Sequence, residues 1–243
     1  MKAAAILLCA GKGERLGLGV DKALAPLAGR PLFSWSLEAF ERSPAIEGIV
    51  VVGRTKLLRD LLAASGLAPA KIVAWTEGGR ERQDSVARGL KALPPEFDLV
   101  VVHDSARALV SPALIGRVLG DAVAHGAAIA AVPLEDTLKR GSLRVIEDTV
   151  PRAGLWRAQT PQAFRRDWLE PAHAAAQGKA TDDAALVEAA GHPVHLTEGE
   201  AVNFKITTPA DLALAEAWLA GPAAGREHAA LDASAPPRVP ERP

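Results

Sequence analysis

Blocks of apolar residues alternate along the chain with segments in which apolar residues recur on one helical face. The apolar runs predict buried strands, and they span 3–8, 48–52, 71–74, 98–102 and 127–132. Predicted helices span 31–42, 56–64 and 112–125, and another runs through Leu90 and Leu93. Alternating strands and helices imply a parallel sheet with right-handed crossovers. We therefore expect an α/β fold, with a Rossmann-like, doubly wound and mostly parallel mixed sheet.

The later part of the chain predicts further short elements and then a tail. Helices are expected at 166–176 and 181–190, strands at 194–196 and 202–206, and a final helix through Leu219 with Thr207 or Thr208 as its cap. Residues 221–243 are rich in alanine and proline without apolar periodicity, which predicts disorder. We expect one domain over 1–220 followed by this tail.

The alternation breaks between residues 136 and 159. Apolar residues there are scattered among turn residues, which is typical of a β-arm that projects from the domain. Val145, Ile146, Leu155 and Trp156 are too few to form a core of their own. Burial against a second copy of the chain would cover them, so the sequence predicts a homodimer through the arm.

Composition and charge exclude several classes of protein. Hydrophobic residues make up 49% of the 243 residues, and 28 basic residues nearly balance 29 acidic ones. A net charge of −1 argues against a general nucleic-acid binder. The longest apolar runs are too short to span a membrane. Cys9 is the one cysteine, so no intrachain disulfide can form, and we expect a cytoplasmic protein.

A glycine-rich loop after the first strand is the main candidate for chemistry. Its glycines are Gly11, Gly13, Gly17 and Gly19, and its cations are Lys12, Arg15 and Lys22. Glycines let backbone amides approach a phosphate, and the cations offset its charge. The spacing matches neither a P-loop, because no serine or threonine follows Lys12, nor the dinucleotide fingerprint, because the third glycine falls one position late.

Two further segments carry candidate polar residues. Gly78 and Gly79 predict a turn, and Asp84 or Ser85 is expected to cap the helix that follows. Asp104 follows a predicted central strand, where open α/β sheets bind ligands. It is a candidate for holding Mg²⁺ or a substrate hydroxyl, and capping the helix at 112–125 is the alternative. His103 fits a packed residue at the strand end better than a general base.

The motifs together resemble those of the sugar and polyol-phosphate nucleotidyltransferases. They are most similar to the cytidylyltransferases that act on 2-C-methyl-D-erythritol 4-phosphate in the non-mevalonate isoprenoid pathway. The matching segments are 10–16, 78–85, 102–107, 136–139, 149–162, 181–184 and 203–207. The run from Thr149 to Gln162 is the most specific. Arg80 and Val202 depart from the acidic residues expected there, and Arg80 leaves the detail of the base contacts open.

The resemblance implies a role for each candidate residue, with CTP and a polyol phosphate as substrates. Expected catalytic residues are Arg15, Lys22, Arg152 and Lys205. Expected nucleotide-binding residues are Ala10, Gly11, Gly13, Gly79 and Ser85. Expected substrate-binding residues are Asp104, Arg107, Thr137, Thr160 and Thr181. The resemblance also implies Mg²⁺ on the triphosphate, with Asp104 as its candidate ligand, and contacts from Arg152 and Thr137 to the site of a partner subunit.

Two alternatives remain open at this point. A ribitol 5-phosphate cytidylyltransferase would share the loop and the cations. A regulatory domain that binds a nucleotide without catalysis is an alternative from a different class. Arg15, Lys22 and Lys205 together argue against the regulatory domain, and release of pyrophosphate would exclude it.

Overall fold

The structure is a computed structural model that describes residues 1–11 and 21–221. Its strands are β1 (Ala3–Leu8), β2 (Pro26–Leu27), β3 (Arg30–Pro31), β4 (Gly48–Val52), β5 (Ile72–Thr76), β6 (Leu99–Asp104), β7 (Ala127–Pro133), β8 (Leu138–Ser142), β9 (Val145–Val150), β10 (Trp156–Arg165) and β11 (His195–Glu198). Its α-helices are α1 (Leu32–Arg42), α2 (Thr55–Ala64), α3 (Arg82–Ala92), α4 (Pro112–His125), α5 (Arg166–Ala175), α6 (Asp183–Ala189) and α7 (Pro209–Ala220). A 3₁₀ turn spans Lys22–Leu24.

Seven strands form one mixed sheet in the order β11-β7-β10-β6-β1-β4-β5. The pairs β1–β4, β1–β6, β4–β5 and β11–β7 are parallel. Strand β10 alone runs in the opposite direction, antiparallel to both β6 and β7. This architecture confirms the predicted mostly parallel α/β sheet, and it makes β6 the central strand.

Helices cover both faces of the sheet, as side-chain alternation along β1 requires. Leu7 on one face belongs to a buried cluster with Phe33 of α1. Ile6 on the opposite face belongs to a second cluster with Val86 of α3. Because β1 is buried on both faces, its sequence is a continuous run of apolar residues. A third, smaller cluster joins α7 to the segment that leads into α1.

Three local expectations about caps and strands are corrected by the structure. Residues 202–206 form no strand: the Asn203 side chain reaches β10, where Nδ2 donates to the Thr160 carbonyl at 2.9 Å, and the Ile206 N–H donates to the Ala106 carbonyl outside any strand. Helix α3 begins with a capping box between Glu81 and Asp84, so neither Asp84 nor Ser85 is its N-cap. Helix α4 is capped by Ser111, which excludes Asp104 from that role. The predicted cap of α7 is found at Thr208.

Strands β8 and β9 form a separate two-stranded hairpin that pairs with no strand of the main sheet. Apolar side chains on it are exposed, with Leu143 at 97% and Val145 at 66% of full accessibility. The hairpin is shorter than the expected arm, because Trp156 already belongs to β10. Residues 222–243, most of the predicted tail, lie outside the described residues. Within the described part of the chain, no helix is long and apolar enough to cross a membrane.

Candidate active site

A cleft of about 540 Å³ opens at the carboxyl ends of β1 and β6. Open α/β sheets bind ligands at this edge. The lining residues are Leu8, Ala10, Gly11, Lys22, Ala23, Gly79, Arg80, Glu81, Arg82, Ser85, Asp104, Ser105, Ala106, Lys205 and Thr207. The Lys22 N–H donates to the Gly11 carbonyl at 3.0 Å, so the two ends of the glycine-rich loop meet at the cleft.

One wall of the cleft depends on two glycines that precede α3. A Cβ atom on Gly78 would lie 2.4 Å from the Cβ of Ala10, so only glycine lets these two segments touch. The Gly79 N–H donates to Ser85 Oγ at 2.9 Å, and Ser85 Oγ in turn donates to the Glu81 carbonyl at 3.1 Å. Ser85 is buried in the first turn of α3. Its hydroxyl therefore shapes the loop that lines the cleft.

The centre of the cleft is a carboxylate held between two cations. Asp104 Oδ1 accepts from Arg82 Nε at 3.0 Å, and Oδ2 accepts from Lys205 Nζ at 2.6 Å. Burial alone would raise the pKa of Asp104, but the positive charges of Arg82 and Lys205 hold it well below its usual range. Asp104 is therefore ionised at neutral pH. Lys205 is 40% exposed, so its ammonium group also reaches solvent in the cleft.

The ion-pair network continues from the cleft into the protein behind it. Arg82 Nη1 donates to Asp183 Oδ2 at 2.7 Å, and Asp183 Oδ1 lies 2.9 Å from His173 Nε2. Burial opposes the charge of Arg82, but Asp183 and Asp104 raise the pKa of its guanidinium overall. Arg82 thus joins the end of β6 to the first turn of α6, and His173 of α5 contacts the other oxygen of Asp183.

A second network, behind Asp104, fixes the end of β6. The Asp104 N–H donates to Thr160 Oγ1 at 3.1 Å, and Thr160 Oγ1 lies 3.1 Å from His103 Nδ1. His103 Nε2 lies 3.2 Å from the Arg107 carbonyl, so Nε2 carries the proton and Nδ1 accepts from Thr160. Burial lowers the pKa of His103 to about 3, which keeps this ring neutral. His103 is a packed strand-end residue, as expected from the sequence.

The irregular segment that carries Lys205 is held by buried amides. Asn203 Nδ2 donates to Gln159 Oε1 at 3.0 Å, and Gln159 Nε2 donates to the Glu200 carbonyl at 2.9 Å. Arg107 Nη1 donates to the Asn203 carbonyl at 2.8 Å. These bonds tie the segment to β10 and to the loop after β6. They place Lys205 beside Asp104 without the help of a strand.

The structure brings seven of the predicted site residues together at the cleft. They are Ala10, Gly11, Lys22, Gly79, Ser85, Asp104 and Lys205. Thr160 is buried behind Asp104, with its hydroxyl engaged on both sides, so its geometry fits a positioning role better than direct contact with substrate. Arg107 lies beside the cleft, with its guanidinium on two backbone carbonyls.

The remaining predicted residues lie elsewhere or outside the description. Thr137 and Arg152 are exposed on either side of the hairpin, and Thr181 is exposed just before α6. None of the three lines the cleft. Gly13 and Arg15 fall in 12–20, outside the described residues.

Sequence reasoning assigned no role to two residues that organise the cleft. Arg82 falls in the matching segment 78–85 and Asp183 in the segment 181–184, but neither has a predicted role. Their pairing spans 101 positions of sequence, and no local pattern predicts it. The detectable signal was a basic residue at the first position of a helix, where the helix dipole disfavours positive charge.

Asp104 was also the candidate ligand for a metal ion. Both of its oxygens already accept from cations, and the described residues contain no group of three or more potential metal ligands. This geometry favours Asp104 as an acceptor for Arg82 and Lys205. A Mg²⁺ ion at this cleft would therefore take most of its oxygen ligands from a bound triphosphate and from water.

Cys9 lies at the end of β1, close to the cleft, but it is not poised to react. It is buried, and burial raises the pKa of its thiol to about 12. A thiol at such a pKa carries almost no thiolate at neutral pH. Cys9 therefore acts as a small core residue.

The fold and the cleft together define a Rossmann-like nucleotidyltransferase. Gly11, Gly79, two lysines and a buried carboxylate meet at the edge of the sheet where open α/β folds bind ligands. The chain belongs to the 2-C-methyl-D-erythritol 4-phosphate cytidylyltransferase family, whose model matches residues 3–221. This confirms the resemblance that the sequence motifs carry, and with it the enzyme class, a CTP-dependent cytidylyltransferase.

Individual relatives agree with the family match. A relative of that name from Gloeobacter violaceus is 46% identical over 222 residues, which cover 88% of this chain and 94% of the relative. The crystal structure of the Thermus thermophilus protein of the same name is 38% identical, with a TM-score of 0.72 and coverage of 90% of this chain and 98% of that one. The 4-diphosphocytidyl-2C-methyl-D-erythritol synthase of Anaerococcus prevotii is 28% identical, with a TM-score of 0.78 and coverage of 90% and 96%.

Proposed function

We propose that this cleft joins CTP to 2-C-methyl-D-erythritol 4-phosphate. The products are 4-diphosphocytidyl-2-C-methyl-D-erythritol and pyrophosphate. A phosphate oxygen of the polyol phosphate attacks the α-phosphorus of CTP in line. A new P–O bond forms as the bond to the β-phosphate breaks, and the electron pair leaves with pyrophosphate. The observation that carries the proposal is the meeting of Lys22, Lys205 and the Gly79–Ser85 loop in one cleft.

The site needs cations more than it needs a base. A phosphate monoester is already an anionic nucleophile, so the barrier lies in bringing two polyanions together and stabilising charge at phosphorus. His103, the neighbour of Asp104, is buried, and its two ring nitrogens are engaged by Thr160 and by the Arg107 carbonyl, so it is not free to act as a base in the cleft. Lys22 and Lys205 line the cleft and supply positive charge from two separate segments of the chain.

We assign roles to these residues as part of the proposal. Lys22 and Arg15 stabilise the α-phosphate and the leaving pyrophosphate, while Lys205 holds the phosphate of the polyol substrate. Lys205 is suited to this because its ammonium group is only partly covered by Asp104. The Gly79 and Ser85 loop holds the base. Asp104, Arg107 and Thr181 serve the polyol side, with Thr160 supporting Asp104 from behind.

A divalent cation, Mg²⁺, enters this proposal together with CTP. When bound, it neutralises charge on the triphosphate oxygens and so assists departure of pyrophosphate. Asp104 could contribute to the ion only through the lone pairs that its bonds to Arg82 and Lys205 leave unused, so most ligands would come from the triphosphate and from water. The protein itself contributes by placing Lys22 and Lys205, and this contribution does not depend on which ligands fill the coordination sphere of the ion.

The decisive experiment is a pyrophosphate-release assay with purified full-length protein. The panel combines CTP, UTP and ATP with 2-C-methyl-D-erythritol 4-phosphate, ribitol 5-phosphate and erythritol 4-phosphate. Release with CTP and the methylerythritol phosphate, at least about tenfold above every other pair, supports the proposal. A preference for ribitol 5-phosphate would replace it with the alternative enzyme. No release from any pair, with CTP still bound, would favour a regulatory domain.

We also propose that the enzyme is a homodimer whose hairpins complete each other's sites. The hairpin exposes apolar side chains, and Arg152 and Thr137 lie beside it, away from the cleft of their own chain. An isologous contact would bury the apolar residues and carry both polar ones toward the neighbouring cleft.

A complementation experiment tests this shared site. Arg152→Ala and Lys22→Ala variants are each expected to be nearly inactive. After subunit exchange, a mixed dimer holds one site with both residues intact, so about half of the sites in that dimer regain activity. If mass spectrometry shows mixed dimers and activity stays at the level of the single variants, each site is built within one chain.

A cytoplasmic location and the lack of a nucleic-acid partner remain predictions from composition.

A further inference from the structure

Arg82 connects three parts of the molecule through a single guanidinium group. It is the first residue of α3, directly after the loop that lines the nucleotide side of the cleft. Nε donates to Asp104 at the end of β6, and Nη1 donates to Asp183 in the first turn of α6. Asp183 is almost completely buried, with its side chain 1% exposed, whereas Arg82 is 26% exposed. The guanidinium therefore lies at the boundary between the cleft and the core.

We propose that Arg82 is a positioning residue that holds the polyol-phosphate half of the cleft in register with the nucleotide half. This inference rests on the proposed function, in which Asp104 and the segment before α6 serve the polyol phosphate. Arg82 orients the Asp104 carboxylate, which in turn holds Lys205 at 2.6 Å. Through Asp183 it also fixes the start of α6, two residues after Thr181. One side chain thus sets the geometry of both contacts.

The planar fork of arginine suits this position, and lysine does not replace it. The two bonds leave different nitrogens of a rigid group and reach carboxylates on two elements, Asp104 on β6 and Asp183 on α6. A lysine ammonium is a point charge on a flexible stem, so it would favour one carboxylate and loosen the other. In the part of the chain that the structure describes, the third nitrogen of Arg82, Nη2, is buried without a hydrogen-bond partner. Such a donor is costly to bury, which is consistent with a geometry set by function.

The nucleotide side does not depend on Arg82 for its shape. The turn before α3 is held by the capping box between Glu81 and Asp84 and by the bond from the Gly79 N–H to Ser85 Oγ. None of these bonds includes the Arg82 side chain. Loss of Arg82 should therefore disturb the polyol-phosphate half and leave the loop around the base in place.

The structure provides a matched control for the loss of a partly buried arginine. Arg166 is 20% exposed, pairs with Glu170 and donates to the carbonyls of Leu93 and Pro94. It does not line the cleft. Arg166→Met thus removes an arginine of similar burial and bonding, and it reports what destabilisation alone does to the kinetics.

The experiment compares Arg82→Met, Arg82→Lys and Arg166→Met in the full chain. Thermal melting and the KM values for CTP and for 2-C-methyl-D-erythritol 4-phosphate are measured for each. We expect both Arg82 variants to raise the KM for the polyol phosphate at least about tenfold, with the KM for CTP changing less than threefold, and Arg166→Met to shift only the melting temperature. If Arg82→Met fails to fold, Arg82→Lys carries the test, because it keeps the buried charge.

Two outcomes would overturn the proposal. One is an equal change in the KM values for CTP and for the polyol phosphate in the Arg82 variants. The other is a change of melting temperature alone in Arg82→Lys, as expected for Arg166→Met. Failure of the proposed function looks different, since the wild-type protein would then release no pyrophosphate from this substrate pair. Asp183→Asn adds a double-mutant cycle with Arg82→Lys. We expect the KM of the double variant for the polyol phosphate to be no higher than that of the poorer single variant. If the two fold-increases in KM multiply instead, Arg82 does not act through Asp183 and α6.

Discussion

Replacing Gly79 by alanine tests the nucleotide wall of the cleft directly. A Cβ at this position would lie 2.2 Å from Asp84 Cβ, 2.8 Å from the Asp84 carbonyl carbon and 2.9 Å from the Ser85 nitrogen. These atoms belong to the first turn of α3 and cannot rotate away, so the loop itself must shift. Overpacking of this kind costs about 1–3 kcal/mol. The shift also breaks the bond from the Gly79 N–H to Ser85 Oγ, which contributes about 0.5–1.5 kcal/mol.

The two effects together come to about 1.5–4.5 kcal/mol, and both act where the loop meets the nucleotide. If CTP binds only the undistorted loop, the variant must restore that loop on binding. The dissociation constant for CTP should then rise about 10- to 1,600-fold, because about 1.4 kcal/mol corresponds to a factor of ten. Calorimetric titration of CTP into Gly79→Ala measures this value, and circular dichroism confirms that the variant is folded.

Gly116→Ala is the matched control. Gly116 lies within α4, and apart from its chain neighbours and the backbone of its own helix no described atom lies within 4 Å of its added Cβ. Alanine in a helix interior is favoured over glycine by about 0.5–1 kcal/mol, so this variant should melt slightly higher and bind CTP normally. If Gly79→Ala binds CTP within threefold of wild type and melts like it, the close approach to α3 does not shape the nucleotide site.

The other predictions concern the phosphate cations, the tail, the cysteine and pH. Lys22→Ala should lower kcat about 10²- to 10³-fold, far more than it weakens CTP binding, because its charge acts mainly in the transition state; equal losses would assign it to ground-state binding. Truncation after Gly221 should leave melting temperature and turnover unchanged, since the tail lacks apolar periodicity, and a loss of either would show that it packs on the protein. Cys9 should resist alkylation until the protein is denatured, as its thiol is buried with a pKa of about 12; rapid native labelling would contradict this. His103 binds fewer protons in the folded than in the unfolded state between about pH 6.5 and its folded pKa of about 3, so it should make stability fall as pH drops through this window, by at most about 1.4 kcal/mol per pH unit. His103→Gln should flatten that slope in urea unfolding, and an unchanged slope would mean that the ring is protonated in the folded protein.

Local sequence patterns predict the elements of this fold well where burial is uniform. Strands β1, β4 and β6 and helix α4 lie within one or two residues of their predicted bounds, because apolar periodicity determines them directly. Strand β10 could not be recognised in the same way. Pro161 interrupts it, and a proline inside a run argues against a strand. Its register with β7 shifts between Ala158 and Gln162, which is where the structure accommodates that proline.

The candidate site shows the same division between local and long-range information. The glycine loop and Asp104 follow strand ends, so topology alone places them at one edge of the sheet. The bonds that orient them cross long stretches of sequence, such as Arg82 to Asp183 and Asn203 to Gln159. Pairings of this kind have no periodicity and no fixed spacing. The sequence therefore indicates which residues meet at the edge, while the structure shows what holds them there.

The reversed strand β10 also has a consequence for how the chain assembles on the ribosome. In the sheet, β10 lies between β6 and β7, so the half built from β5, β4, β1 and β6 joins the half built from β7 and β11 only through it. A nascent chain that ends before Trp156 contains β6 and β7 but lacks the strand that pairs with their facing edges. Roughly the first two thirds of the protein must therefore emerge before the sheet can close. Until then the edge of β6, the strand that ends at Asp104, lacks its β10 partner, and unpaired strand edges of this kind favour aggregation.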